Sequence, residues 1–228
     1  MNAPAALTVD DAIRSRHSVR RFLSTPVHES VVREILALSS RAPSGTNVQP
    51  WRVYALAGEE RKSLSAAILA EYNAGKKEGR AFDYYPPEWV DPWLSRRRKL
   101  GLGLYSLLGI GKGDKEKMHE QTGRNYLFFD APVGLILTMD KRLGRGMFLD
   151  YGVFIGHILL AARARGLDTC VQNAFADYPD TTRRHLGIDE QELIVGGVAL
   201  GYADANAPEN TLATEREPVE NFADFRGF

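Results

Sequence analysis

The chain has 228 residues, with 29 Lys or Arg against 29 Asp or Glu and a formal net charge of zero; its isoelectric point is near 7.0. That length holds one good-sized domain or two small ones, and the charge balance argues against electrostatic capture of nucleic acid or of an anionic membrane face. One cysteine, Cys170, excludes an intrachain disulfide and a cysteine-rich zinc site and fits a reducing, cytoplasmic setting.

Residues 1–9 lack a basic start followed by a long apolar run, so no secretory signal is expected. Thr8 and Asp11 form a capping-box pattern that predicts a short helix to about Arg16. A second helix is expected after Pro26, its apolar face on Val31, Val32, Ile35, Leu36 and Leu38, ending near Arg41. Residues 42–51, with two prolines and a glycine, read as an ordered loop rich in small donors. Arg52–Leu56 reads as a strand and Glu59 to about Tyr72 as a helix. Residues 73–118 lose periodicity and crowd Tyr84, Tyr85, Trp89 and Trp93 with prolines and arginines. This stretch reads as an insertion with partial helical structure that acts as a lid, because so many aromatics are costly to leave in water.

Beyond it, the pattern predicts a helix over about Lys115–Phe129 and a strand over Val133–Met139, whose apolar run is too short to span a bilayer. Phe148–Arg165 carries the strongest helical periodicity and is expected to be central and mostly buried, with Gly166 closing it. Thr169–Gln172 reads as a short strand, Pro179–Leu186 as a helix and Leu193–Tyr202 as a buried strand. The tail from Ala203 to Phe228 is polar, with Phe222, Phe225 and Phe228 spaced by three, and is expected to dock on its own body or on a partner. The whole reads as one domain, 1–228, with an insertion at about 73–118 and an arm at about 203–228. Strands and helices alternate, so a doubly wound sheet has to be weighed against an α+β arrangement.

Five of the eight residues from Arg14 to Arg21 are Arg or His, and two more are serines. Several donors there can converge on one anion such as a phosphate, although a solvated basic face explains the cluster equally well. Ser44, Asn47 and Gln49 suit a flat polar ligand. Other chemistry finds no support. The glycines at 101–113 do not match a dinucleotide fingerprint. The five histidines lack metal-site spacing, and there is no Gly-x-Ser-x-Gly elbow. Binding groups without a catalytic group point to chemistry delegated to a cofactor.

Four blocks in order, Arg16-His17-Ser18-Val19-Arg20, Ala42 to Trp51, Gly196 to Tyr202, and Arg216-Glu217-Pro218-Val219, resemble the FMN-dependent nitroreductase family along nearly the whole chain. Tyr84-Tyr85-Pro86 and Phe128-Phe129-Asp130-Ala131-Pro132 are similar to its nitrobenzoate and dinitroaniline branch. The resemblance implies an α+β three-layer sandwich, a central, mainly antiparallel sheet flanked by helices, and an intertwined homodimer with FMN at the subunit interface. It implies that Arg16, His17 and Ser18 hold the FMN phosphate and ribityl end, with Arg216 as a late phosphate ligand and Thr214 where some relatives carry a basic residue. Arg20 would meet the flavin near N1 and O2, where a cation stabilises the reduced anion. Pro43, Ser44, Gly45 and Asn47 would approach from the other subunit. Gln172, Asn173 and Ala174 would form the turn facing N5, with Asn173 where glycine is frequent. Asn125, rather than Arg124, would meet the pyrimidine edge, while Arg14 and Arg21 would be surface charge.

The implied activity is ping-pong reduction of a nitroaromatic, with NADH or NADPH as reductant and no side chain as nucleophile. A flavin enzyme acting on quinones, activated alkenes or free flavin is the alternative, and a non-enzymatic binder of a phosphoryl ligand stands outside that class. Arg96, Arg97 and Arg98 read as exposed helix charge, or as attraction for an acidic substrate.

Overall fold

The computed structural model describes residue 5 and residues 8–228. The expectation about residues 1–9 therefore falls largely outside the described residues. α1 (Val9–Ser15) starts on the anticipated capping box: the Thr8 hydroxyl accepts from the Asp11 N–H, and the Asp11 carboxylate accepts from the Thr8 N–H. α2 (Glu29–Ser39) turns Val32 and Ile35 inward. β1 (Arg52–Ala57) leads directly into α3 (Gly58–Asn73), which buries Leu64 and Ile68.

The insertion is partly helical, as expected: it contains a 15-residue helix, α4 (Trp93–Leu107), none of whose residues is buried. The helix expected over Lys115–Phe129 is shorter. α5 (Lys115–Gly123) gives way to a 3-10 segment, Arg124–Asp130, in which Phe128, Phe129 and Asp130 all have φ above +50°. Packing overrides propensity at this point. The Phe128 ring lies on the backbone of Gly134, where a Cβ would come within 2.5 Å of it.

β2 (Val133–Asp140), α6 (Met147–Arg163), β3 (Asp168–Gln172), α7 (Pro179–Leu186) and β4 (Glu192–Gly201) complete the fold. Gly187, at φ +63°, ends α7 in the left-handed conformation that glycine tolerates. The four strands form one sheet in the order β1-β2-β4-β3, antiparallel throughout. The doubly wound alternative is thereby excluded, and the α+β sandwich is the architecture observed.

Alternation along β2 and β4 feeds two cores. Leu135, Leu137, Val198 and Leu200 pack with Ile35, Tyr151, Phe154 and Ile158 of α2 and α6. Ile136, Ile194 and Ala199 pack on the opposite face with Leu64 and Ile68 of α3 and with Tyr126, Phe128 and Phe175. This is the three-layer arrangement. α6 is central but not mostly buried: Leu149 is 79% exposed and Val153 40%. The register slips beside Leu137, where β4 carries an extra residue at Val195, and Gly196 brings its backbone against Gln172 and Asn173.

Candidate functional site

The segment after α1 is placed by the sheet edge. Ser18 bridges to Thr169 of β3, and Val19, fully buried, donates to the Thr169 carbonyl at 3.1 Å. The buried Val19 leaves its neighbours on the outer side. Asn210 clamps Arg20 and Arg21, accepting from the Arg20 N–H at 2.7 Å and donating to the Arg21 carbonyl at 2.8 Å. Nothing in the sequence marked Asn210 for this task.

Arg16, His17, Ser18 and Arg20 line a hollow of about 380 Å³ together with Thr214 and Arg216. The Thr214 hydroxyl accepts from the Arg216 guanidinium at 2.8 Å, which gives this threonine a positioning role in place of a charge. Arg14 is an exposed partner of Asp10, as anticipated. Arg21 is more than surface charge, because it pairs with the buried Glu209 at 3.1 Å and with Asp130 at 3.3 Å.

Arg20 also borders a second hollow, of about 170 Å³, which Asn125, Tyr105, Cys170 and Val171 line. Arg124 is drawn away to Asp130 at 3.0 Å, so Asn125 is the one of the two that faces this space. Burial pushes the Cys170 thiol up to about 11, which keeps it protonated and inert. Val171 borders a third chamber of about 520 Å³, lined by Phe82, Tyr84, Phe148, Tyr151, Asn173 and Arg145 among others.

The turn after β3 is held from three sides. The buried Gln172 donates to the Asn125 carbonyl at 2.6 Å. Asn173 donates to the Val195 carbonyl at 3.0 Å and accepts from Arg80 at 2.6 Å. Arg80 also pairs with Asp177. Glu78, two residues earlier, accepts from the backbone N–H groups of Asp180 and Thr181 at the start of α7. Phe82 then packs on Phe148, ring centroids 4.8 Å apart. The first part of the insertion is thus strapped to the turn and to α6, with its aromatics over the third chamber. Glu78 and Arg80 escaped the sequence reading, although two opposite charges in an aromatic stretch were the available signal.

The structure does not bring Pro43, Ser44, Gly45 and Asn47 to the Arg16 segment. Their loop is an exposed 3-10 turn at the other end of α6, where the Gly45 N–H donates to Asp150 at 3.1 Å and the Ser44 hydroxyl accepts from the Gln49 N–H at 2.9 Å. At the far end of the helix, Arg163 donates to the Ser15 hydroxyl at 3.0 Å. Asp150 and Arg163 are thirteen residues apart on α6, about 20 Å at 1.5 Å per residue.

Three abutting hollows, cationic at one end, amide-lined in the middle and aromatic at the other, suit a long ligand with an anionic tail and a flat head. Arg16, which lines the cationic hollow, has its Nε buried without a protein partner. Among the described residues no group of three or more His, Cys, Asp or Glu gathers as for a metal. Fold and site together define an α+β protein with a trough whose lining suits a phosphorylated, flat-ringed ligand.

The family model described as "Nitroreductase family" matches residues 13–202, and the chain belongs to that family. It is 41% identical to a 4-nitrobenzoate reductase of Nocardioides sp. (strain LMS-CY) over 225 residues, 97% of this chain and 91% of that one. It is 38% identical to a nitrobenzene nitroreductase of Ectopseudomonas oleovorans, over 97% of this chain and 98% of that one. Among solved structures, the FMN and NADPH-dependent nitroreductase NfnB from Sphigopyxis sp. strain HMH superposes with a TM-score of 0.93 at 34% identity, covering 97% of this chain and 100% of that one. NfnB from Mycobacterium smegmatis, solved with NADPH, gives 0.91 at 27% identity, covering 96% and 97%.

Proposed function

We propose that this protein is an FMN-dependent NAD(P)H oxidoreductase that reduces nitroaromatic compounds. The carrying observation is the run of three hollows, joined at Arg20 and at Val171, that grades from cationic to aromatic. The nitroarene-reducing relatives and the FMN-dependent structural neighbours support the same reading. When bound, the flavin supplies acceptance of a hydride from the nicotinamide and its onward delivery to the nitro group.

The side chains bind, orient and exclude water. Arg16, Ser18 and Arg216 hold the phosphate, and His17 borders the same end. Arg20 and Asn125 meet the polar edge of the ring, where a fixed cation favours the charge that reduction places there. Gln172, Asn173 and Ala174 carry the turn beside the reacting edge, and the Arg80 strap keeps it in one conformation. Phe82, Tyr84, Phe148 and Tyr151 give the aromatic acceptor an apolar chamber.

The site is completed by a second copy of the chain. The outer face of α6 presents Leu149, Val153 and the open glycines 152 and 156, with nothing within 4 Å of a Cβ at either glycine. Pairing this face with its copy would bring the partner's 43–47 loop to the trough that α6 separates from its own. The exposed Phe222, Phe225 and Phe228 fit an arm that wraps the partner. On this reading residues 1–228 form one domain, residues 73–118 roof the acceptor chamber and residues 203–228 are the arm. Among the described residues no helix is long and apolar enough to cross a membrane, and a cytoplasmic location accords with the lone, buried Cys170.

The test is a flavin spectrum of the purified protein, followed by reduction with NADH and with NADPH and reoxidation by a panel of nitrobenzoates, neutral nitrobenzenes and quinones. Bound FMN reoxidised by nitroarenes is the expected result. A colourless protein that takes up no FMN on reconstitution would exclude any flavin activity, and turnover of quinones alone would exclude the nitroarene assignment.

A further inference from the structure

Resting on the reading of the Arg16–Arg216 hollow as the seat of the cofactor phosphate, we propose that the insertion helix α4 supplies its second wall through Arg96 and Lys99. Both line that hollow. Arg96, Lys99, Leu100 and Gly103 fall at i, i+3, i+4 and i+7, one face of the helix. That face is pressed onto the segment that carries Arg216: a Cβ at Gly103 would meet Leu212 Cδ1 at 3.2 Å. The neighbouring arginines point elsewhere or line no hollow. Arg97 lies over the Trp89 ring at 4.9 Å, and Arg98 is not part of the lining. Of the three arginines, only Arg96 is directed at the anion site.

Two ion pairs tie the wall to the tail. Lys99 Nζ is 2.6 Å from Glu215, and Arg96 is 2.8 Å from Glu217. Both are solvent-exposed, and such pairs contribute little because water and salt screen them. A phosphate carrying close to two charges therefore displaces Glu217 from Arg96 at small cost, while Lys99 can meet it without leaving Glu215. Charge balance gives Lys99 a second task. Glu215 is the one carboxylate among the residues lining the hollow, and unneutralised it would repel a phosphate beside Arg216. The cofactor would thus join three segments remote in sequence: the loop after α1, the insertion helix and the tail that continues into the arm.

The experiment compares FMN with riboflavin, which lacks only the phosphate, by quenching of flavin fluorescence on Arg96→Gln, Lys99→Gln and Arg16→Ala proteins. Each α4 variant is expected to bind FMN about tenfold more weakly, as for the loss of a hydrogen bond to a charged group, with riboflavin affinity unchanged and a shallower salt dependence for FMN. FMN affinity within about twofold of wild type in both α4 variants, with Arg16→Ala weakened, would overturn this inference and leave the phosphate site standing. Equal losses for FMN and riboflavin would also overturn it, because α4 would then act through the fold. If Arg16→Ala is silent as well, the cofactor reading of the hollow falls with it.

Discussion

The Arg16–Arg20 segment and the Pro43–Asn47 loop both look like walls of a ligand site, yet one protomer holds them at opposite ends of α6, about 20 Å apart. The first is built in. Its backbone is bridged to β3 and clamped by Asn210, and Arg16 Nε is buried without a protein partner. The second is exposed, takes positive φ at Thr46, Asn47 and Gln49, and is held chiefly by Ser44 and Asp150. An exposed loop fixed in an uncommon conformation, tied to its own chain chiefly through Asp150, fits the proposal that it is shaped for another molecule. On the proposed reading, the sequence names the members of a site without saying which copy of the chain supplies them.

Keeping the two copies apart should have the largest effect. Gly156→Glu places a charge on the open face of α6, where the protomer itself has room. Sedimentation should find a monomer, and FMN affinity should fall by more than about 100-fold, since half of each site is removed. A stable dimer with normal FMN binding would move the interface elsewhere. Within the intact dimer, Arg16→Ala should weaken FMN about 10- to 150-fold by titration and spare riboflavin, because hydrogen bonds to a charged group contribute about 1.5–3 kcal/mol. Asn47→Ala should cost less, about tenfold, and should affect FMN and riboflavin alike, since residues 43–47 carry no cation for a phosphate and their small polar groups suit a flat ligand. An effect confined to FMN would exchange the roles of the two walls. The smallest effect concerns Cys170, which borders the middle hollow with its thiol pushed up to about 11. Its reaction with a disulfide reagent at neutral pH should be negligible until denaturant is added, and prompt labelling of the folded protein would show that this part of the trough is open.

The helices and strands that bury a face were legible because burial imposes a period. α2 and α6, and β2 and β4, fall within a residue or two of where their apolar patterns put them. α4 was legible only as partial helix without bounds, for the converse reason. No residue of it is buried, and it is held by Gly103 against Leu212 and by ion pairs. The early end of α5 was hidden too, because a ring stacked on Gly134, 11 residues from the end of that helix, decides the backbone at Phe128. At the site, the residue types of the Arg16 and Ser44 segments carried the signal. Asn210, Glu78 and Arg80 act by position alone, and their spacing says nothing until the chain is folded.

Mixed dimers test the shared site most directly. One protomer carries Arg16→Ala and the other Asn47→Ala, purified through different tags. If each site takes its phosphate wall from one chain and its loop from the other, one site of the mixed dimer loses both groups and the other keeps both. FMN titration should then find one site per dimer with wild-type affinity and one far weaker. Two weakened sites, neither matching wild type, would mean that each chain builds its site alone and would contradict the account.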